Sequence, residues 1–256
     1  MRLNRFIAQS GVCSRRKADE LIVMGLVRID GKTVTELGTQ VDSEKQRVVV
    51  ENTVIKPPKR KLYLAFNKPK GVLTTMDDPQ NRESIYHYLT DMPRVFPVGR
   101  LDKDSEGLLI LTDDGDFANI LMHPRYKLEK TYKVHIIGSP TEKDIEKLET
   151  GVYLEGRKTQ PCSIKRIRQL HGEAEYIMKI KEGRKRQIRN MFLIIGCTVK
   201  KLVRISMGNL KLGDLQPGTF RIIGEKEINE MRKSLEKPIR DIADKKKQSP
   251  SRKKGK

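Results

Sequence analysis

Cysteine is scarce in this chain, and long apolar runs are missing. Cys13, Cys162 and Cys197 are scattered and odd in number. A disulfide framework or a zinc site needs clustered pairs, so neither is expected, and a reducing cytoplasm fits. No apolar stretch approaches the roughly 20 residues that span a bilayer. The opening "MRLNRFIAQSG" is too polar for a secretory segment, so no membrane association is expected. A phosphate-binding glycine loop in its strand-and-helix context is also lacking. His87, His123, His135 and His171 have no metal-ligand spacing, and no Ser-His-Asp set can be argued from linear order.

Positive charge is abundant. The 256 residues carry 53 Lys and Arg against 33 Asp and Glu, a net +20, which calls for a polyanionic partner, most often nucleic acid. A hydrophobic share of 36% is enough for one large domain, or a large and a small one.

The first fifty residues read as a small unit. Leu3, Phe6 and Ile7 form a short helical face that stops at Ser10-Gly11. Ser14 caps a second helix with Ala18, Leu21 and Ile22 inward, and Gly25 ends it. "VRIDGKTV" follows as a hairpin turning at Asp30-Gly31. The second helix begins Arg15-Arg16-Lys17, and no acid precedes Asp19. Cations at a helix N-terminus oppose the macrodipole, so stability does not explain them; phosphate binding does.

Residues 51–61, "ENTVIKPPKRK", have linker composition: paired prolines, charge and no period. Beyond them "LYLAF" (62–66), "LLILT" (108–112), "TYKVHII" (131–137), "EYIMKI" (175–180) and "TFRII" (219–223) read as strands. Helices are expected over 116–122, 142–149 and 186–195. The order is not a repeating βαβ, so an α+β body with a mixed, largely antiparallel sheet is expected. From 237 the chain carries nine Lys or Arg, two Asp and almost nothing to bury, the composition of a disordered basic tail. The organisation expected is a small domain over 1–55, a linker at 56–61, a body over 62–236 and a tail over 237–256.

One segment runs against the charge balance. "FPVGRLDKDSEGLLILTDDGD" (96–116) sets Asp102, Asp104, Glu106, Asp113, Asp114 and Asp116 about an apolar strand. Asp113-Asp114-Gly115 is explained as a turn after that strand, and Asp116 suits a helix N-cap. The acids of "GRLDKDSEG" have no such explanation, and the residues alone do not choose between Asp102 and Asp104. A second dense segment, "KEGRKRQIRNMF" (181–192), surrounds the start of an amphipathic helix with Lys181, Arg184, Lys185, Arg186 and Arg189. These can hold an RNA backbone, one can turn inward to a carboxylate, or the whole can be a solvated helix start.

At these residues a resemblance is plain. "GRLDKDSEGLLILTDDG" is similar to the segment of the RsuA/RluB branch of pseudouridine synthases in which the Asp after Arg-Leu is catalytic. "NKPKGV" (67–72) resembles the first motif of that family, and "LEKTYKV" (128–134) the motif carrying its active-site tyrosine. "EGRKRQIRNMF" (182–192) resembles the motif carrying the basic partner of the aspartate, and the N-terminal unit the small RNA-binding module of the S-four type. Together these cover about residues 1–230 in the family's order. Within the branch the chain looks most like the RluB type, which acts on large-subunit ribosomal RNA.

The resemblance implies a pseudouridine synthase fold and isomerisation of a uridine in ribosomal RNA, free or in an assembling particle, with no cofactor or metal, by a monomeric cytoplasmic enzyme. It implies Asp102 as the catalytic carboxylate, Arg189 as its paired cation and Tyr132 stacked on the flipped base. Arg100 would help to displace or replace that base, and Lys68 would touch the RNA backbone. Arg184, Lys185 and Arg186 join Arg15, Arg16 and Lys17 as RNA contacts. Two other classes of function compete. A non-catalytic RNA-binding ribosome assembly factor would be expected to have lost one of Asp102, Tyr132 and Arg189, and a basic RNA chaperone leaves "GRLDKDSEG" unexplained.

Overall fold

A computed structural model describes residues 1–76, 78–89 and 92–235. The basic segment expected to form a tail lies outside the described residues.

The N-terminal unit begins with two helices, α1 (Leu3–Gln9) and α2 (Arg15–Val23). Ser14 caps α2 by accepting from the Lys17 N–H. Val27–Ile29 (β1) and Lys32–Val34 (β2) form the expected hairpin, with Asp30 and Gly31 both at positive φ as a two-residue turn of that hand requires. Val48–Val50 (β3) and Thr53–Ile55 (β4) complete a sheet of order β2-β1-β3-β4. The run "ENTVIKPPKRK" is therefore not linker from its start: Glu51 and Asn52 make a left-handed turn, and Thr53–Ile55 is paired strand. Leu3, Phe6, Ile7, Ala18, Leu21, Ile22, Val27 and Val48 close a small core of their own.

The body is built on a nine-stranded sheet. Its main path runs β11 (Ser163–Leu170), β12 (Glu173–Ile180), β8 (Lys130–Ile137), β13 (Thr198–Met207), β7 (Glu106–Thr112), β5 (Tyr63–Lys68) and β15 (Phe220–Ile222). The short strands β6 (Phe96–Pro97) and β14 (Leu210–Lys211) pair with β7 and β13. A separate small hairpin joins β9 (Tyr153–Leu154) to β10 (Arg157–Lys158). Every pairing on the main path is antiparallel except β7 with β13. The body is thus mixed and largely antiparallel, as its element order predicts.

Strand β7 is apolar from Leu108 to Leu111 because both its faces are covered there. Leu109 and Leu111 face one core with α4 (Glu142–Thr150) and α5 (Gln187–Ile194), which supply Ile145, Leu148, Ile188, Met191 and Phe192. Leu108 and Ile110 face the other, closed by α3 (Gly115–Met122) with Phe117 and Leu121, and by the helical residues 225–235 with Ile228 and Met231. Burying each of these β7 side chains is worth about 1.5–3 kcal/mol, so the strand is a stiff base for the loop preceding it. Asp114, not Asp116, caps α3, accepting from the Asp116 and Phe117 N–H groups. Asp116 pairs instead with Arg5 of the N-terminal unit. Among the described residues no helix is long and apolar enough to cross a membrane.

Candidate active site

Five of the six acids around β7 are accounted for by local partners. Asp113 accepts from the Leu62 N–H. Asp114 caps α3 and receives the Tyr63 hydroxyl and Arg232. Asp116 pairs with Arg5, Glu106 lies 3.4 Å from Lys201, and Asp104 lies 3.8 Å from Arg186. Asp102 differs: among the described residues its carboxylate has no hydrogen bond and no ion pair.

The loop bearing Asp102 is held by its main chain. The Leu101 carbonyl accepts from the Thr74 hydroxyl at 2.7 Å and that of Asp102 from the Ser105 N–H at 3.0 Å. The Lys103 carbonyl accepts from the Gly71 N–H at 2.8 Å. Arg189 Nη2 donates to the Asp104 carbonyl at 2.8 Å, and Lys68 Nζ to that of Ser105 at 2.9 Å. Five successive carbonyls each have a donor, which fixes the main chain of the loop while no donor is directed at the Asp102 carboxylate. A carboxylate fixed in place yet unpartnered is the arrangement a preorganised catalytic group needs.

Two predicted roles change here. Lys68, expected on the RNA backbone, is fully buried. Its ammonium also reaches the carbonyls of Pro69 and, more weakly, Lys103, so it supports the loop from beneath. Burial pushes its pKa down to about 8, opposed by the field of Glu106, Asp104 and Asp102. Arg189, expected to pair with Asp102, makes no ion pair with it; its second contact is the Val199 carbonyl at 2.9 Å. The guanidinium ties β13 to the Asp104 carbonyl and stands behind the loop. Burial and the neighbouring Arg186 lower its pKa, while Asp104 and Asp102 act in the opposite sense. Both changes share a cause. The tight loop leaves main-chain carbonyls without backbone donors, and the nearest long cations fill them.

In front of Asp102 opens a cleft of about 480 Å³, walled by the loop, by β8 and β13, and by the segment leading into α5. Tyr132 lines it and is 7% exposed, its ring also part of the core on that side of the sheet. Arg100, Lys127, Lys130, Lys181, Arg186 and Arg204 line it against two carboxylates, Asp102 and Glu182. Glu182 is engaged, accepting from Gln187 at 2.7 Å, from the Gln160 N–H at 3.0 Å and from Arg184 at 3.3 Å. Among the described residues Asp102 is the one unpartnered carboxylate in a cationic cleft.

Of the other predicted contacts, Arg100, Lys185 and Arg186 are exposed. Arg184 is not a free phosphate contact, because its two Nη atoms donate to the carbonyls of Arg157 and Lys158 at 2.8 and 2.6 Å and fix the β9–β10 hairpin beside the cleft. Arg15, Arg16 and Lys17 are exposed on the first turn of α2, Lys17 being paired with Glu20. Lys130 and Arg204 are cleft residues that the linear pattern does not flag. Lys130 precedes Tyr132 by two and so shares its face, a clue that was present. Arg204 lies in "TVKKLVRISM", whose interleaved cations hide a central strand.

Comparison with known proteins agrees with this geometry. The family model described as RNA pseudouridylate synthase matches residues 62–193, and that of the S4 domain matches residues 1–48. The chain belongs to the RNA pseudouridine synthase family. It is 40% identical over 235 residues to the ribosomal large subunit pseudouridine synthase B of Bacillus subtilis (strain 168), covering 90% of this chain and 95% of that one. It is 39% identical to an uncharacterized RNA pseudouridine synthase of Aquifex aeolicus (strain VF5), covering 92% and 95%. A crystal structure of a pseudouridylate synthase superposes with a TM-score of 0.65 at 29% identity, covering 90% of this chain and 99% of that one. The protein is an isomerase with an S4-type RNA-binding unit ahead of its catalytic body.

Proposed function

We propose that the enzyme converts one uridine of large-subunit ribosomal RNA to pseudouridine, with Asp102 as the group that initiates the reaction. The observation carrying the assignment is the unpartnered Asp102 carboxylate at the wall of the cationic cleft. The ribosomal target is supported by the likeness to the Bacillus subtilis enzyme. On this reading the protein works in the cytoplasm, during ribosome biogenesis, as a monomer.

The reaction detaches uracil from its ribose nitrogen link, turns it, and rejoins it through a ring carbon. Nothing is consumed, so the protein has to supply binding, orientation and one ionised carboxylate. The target base must leave its stack, since its reacting atoms are inaccessible within a helix. The cleft has room for a single nucleotide, and Tyr132 offers its ring to the base. Arg100, exposed two residues before Asp102, fills the place the base vacates or holds the strand open. Lys185 and Arg186 sit on the approach and meet phosphates. Lys68 and Arg189 act as positioning residues: they hold the carbonyls of the 101–105 loop, and through it the carboxylate.

Single-turnover isomerisation tests the assignment. Asp102→Asn should lose roughly 10³-fold or more in rate with RNA affinity nearly unchanged. Asp104→Asn, which removes an exposed carboxylate 3.8 Å from Arg186, should lose far less. Equal losses would assign the wrong carboxylate. Wild-type activity should persist in saturating EDTA once the RNA is folded, and its irreversible loss would contradict a mechanism carried by side chains.

A further inference from the structure

Arg204 is 2% exposed, yet its guanidinium is only partly used. Nε donates to the Leu108 carbonyl at 2.7 Å, while Nη2 is buried without a hydrogen-bond partner. Among the described residues no carboxylate forms an ion pair with it. Lys130 lies close by, its Nζ making one long contact of 3.4 Å to the Leu128 carbonyl. Burial, and then the charge of Arg204, push its pKa down to about 8. Both residues line the cleft, and Arg204 is the cross-strand neighbour of Tyr132. On its other side Arg204 pairs with Gly107, five residues after Asp102. The approach there is close: a Cβ on residue 107 would stand 2.3 Å from the Arg204 carbonyl oxygen.

A buried guanidinium with an unfilled donor, beside a half-buried ammonium that the field of Glu182 only partly offsets, is costly in the free protein. Such an arrangement suits a ligand that brings acceptors and negative charge to the bottom of the cleft. Backbone phosphates are matched by the exposed cations Arg100 and Arg186. A guanidinium buried to this degree lies beyond the reach of a phosphate on the surface, and a base inserted into the cleft is the part of an RNA that approaches it.

We propose that Arg204, assisted by Lys130, is the electrophile that takes up the negative charge developing on uracil when it leaves the ribose. The inference rests on the reading that the cleft holds the flipped uridine beside Asp102. When the N1–C1′ bond breaks, its electron pair stays with the base, and the ring spreads the charge onto its carbonyl oxygens. A buried donor already in place for such an oxygen stabilises the departing anion without reorganisation. The C5–C1′ bond then forms with that pair. C5 gives up a proton and N1 takes one, so the product has the composition of the substrate.

The test varies the leaving ability of the base. Fluorine at C5 makes the uracil anion intrinsically more stable, so a 5-fluorouridine substrate depends less on an electrophile. Loss of the N1-linked nucleoside is followed in single turnovers, by digestion and chromatography, on uridine and 5-fluorouridine RNAs. Arg204→Met should be slowed about 10²-fold on uridine, and by no more than about tenfold on 5-fluorouridine, with RNA affinity kept. Equal slowing on both substrates, or normal rates on both, would overturn the proposal. If Arg204→Met shows no cooperative melt, the comparison passes to Arg204→Lys and Lys130→Met. A smaller defect on the fluorinated substrate supports the assignment, and an unchanged ratio overturns it. Asp102→Asn separates the two levels. Retained turnover in that variant would remove the underlying reading, whereas a dead Asp102→Asn beside a substrate-independent Arg204 defect would remove this inference alone.

Discussion

At the scale of single residues, the site is defined by which charges are already used. Asp102 lacks a partner because the nearest long cations, Lys68 and Arg189, donate to main-chain carbonyls instead, and Lys68 is central to that support of the loop. Three carbonyl acceptors, Pro69, Lys103 and Ser105, face one ammonium. A lysine whose pKa is depressed by burial is charged below that pKa and neutral above it. With Lys68 pushed down to about 8, raising the pH through that value leaves a lone pair facing a carbonyl and loosens the loop. Single-turnover rate should therefore fall as pH rises through about 8, and the fall should persist in Lys130→Met, which removes the second depressed lysine of the site. A flat profile to pH 9.5 in that variant would show that Lys68 does not set the loop. Arg189 was legible as a site residue, but its contacts were not: charge suggested a carboxylate partner, and the fold gave it two carbonyls. Arg189→Met should be severely impaired, because the variant loses both carbonyl contacts that hold the loop to β13.

Among the elements, those with a clean apolar pattern were readable and those carrying interleaved cations were not. Strand β7, the α5 helix and the helices of the N-terminal unit follow from apolar period and caps. Strands β11 and β13 escaped because "SIKRIRQL" and "TVKKLVRISM" interleave Lys and Arg, all exposed except the buried Arg204, with their apolar residues, which dilutes the β signal. Bulges also shift the register between Val199 and Lys201 and between Arg204 and Ser206. Missing β13 hid the parallel contact with β7, on which the site depends. Gly107 permits that contact: it sits at φ +102°, and any Cβ would strike the Arg204 backbone. Gly107→Ala should therefore lower stability by about 3 kcal/mol or more, read as a drop in melting temperature, with activity lost in parallel. An unchanged melt would mean that β13 can move away at no cost. At α2, changing Arg15, Arg16 and Lys17 together to Ala should weaken RNA binding and reduce its salt slope by up to about three phosphate contacts. Turnover at saturating RNA should survive, and its loss would place the helix at the reacting base.

As a whole molecule, the protein combines a basic S4-type unit with a catalytic body whose cleft concentrates positive charge around one unpartnered carboxylate. The net charge of +20 promised a polyanion, and the acidic cluster at 96–116 was the exception that located the chemistry. What could not be read from linear order was the division of labour among the cations: buried Lys68 and half-buried Arg189 hold the loop, several exposed ones suit RNA, and Arg204 with Lys130 lie in the cleft itself. That division depends on which face of each strand is covered, and coverage is decided by tertiary pairing. The central claim is that this fold isomerises one ribosomal uridine through Asp102. It is tested most directly by mapping pseudouridines in ribosomal RNA from cells lacking the protein, and from the same cells given back either the wild-type chain or Asp102→Asn. One large-subunit position should be lost in the deletion, restored by the wild type and not restored by Asp102→Asn. Restoration by Asp102→Asn, or a deletion that loses no pseudouridine, would contradict the account.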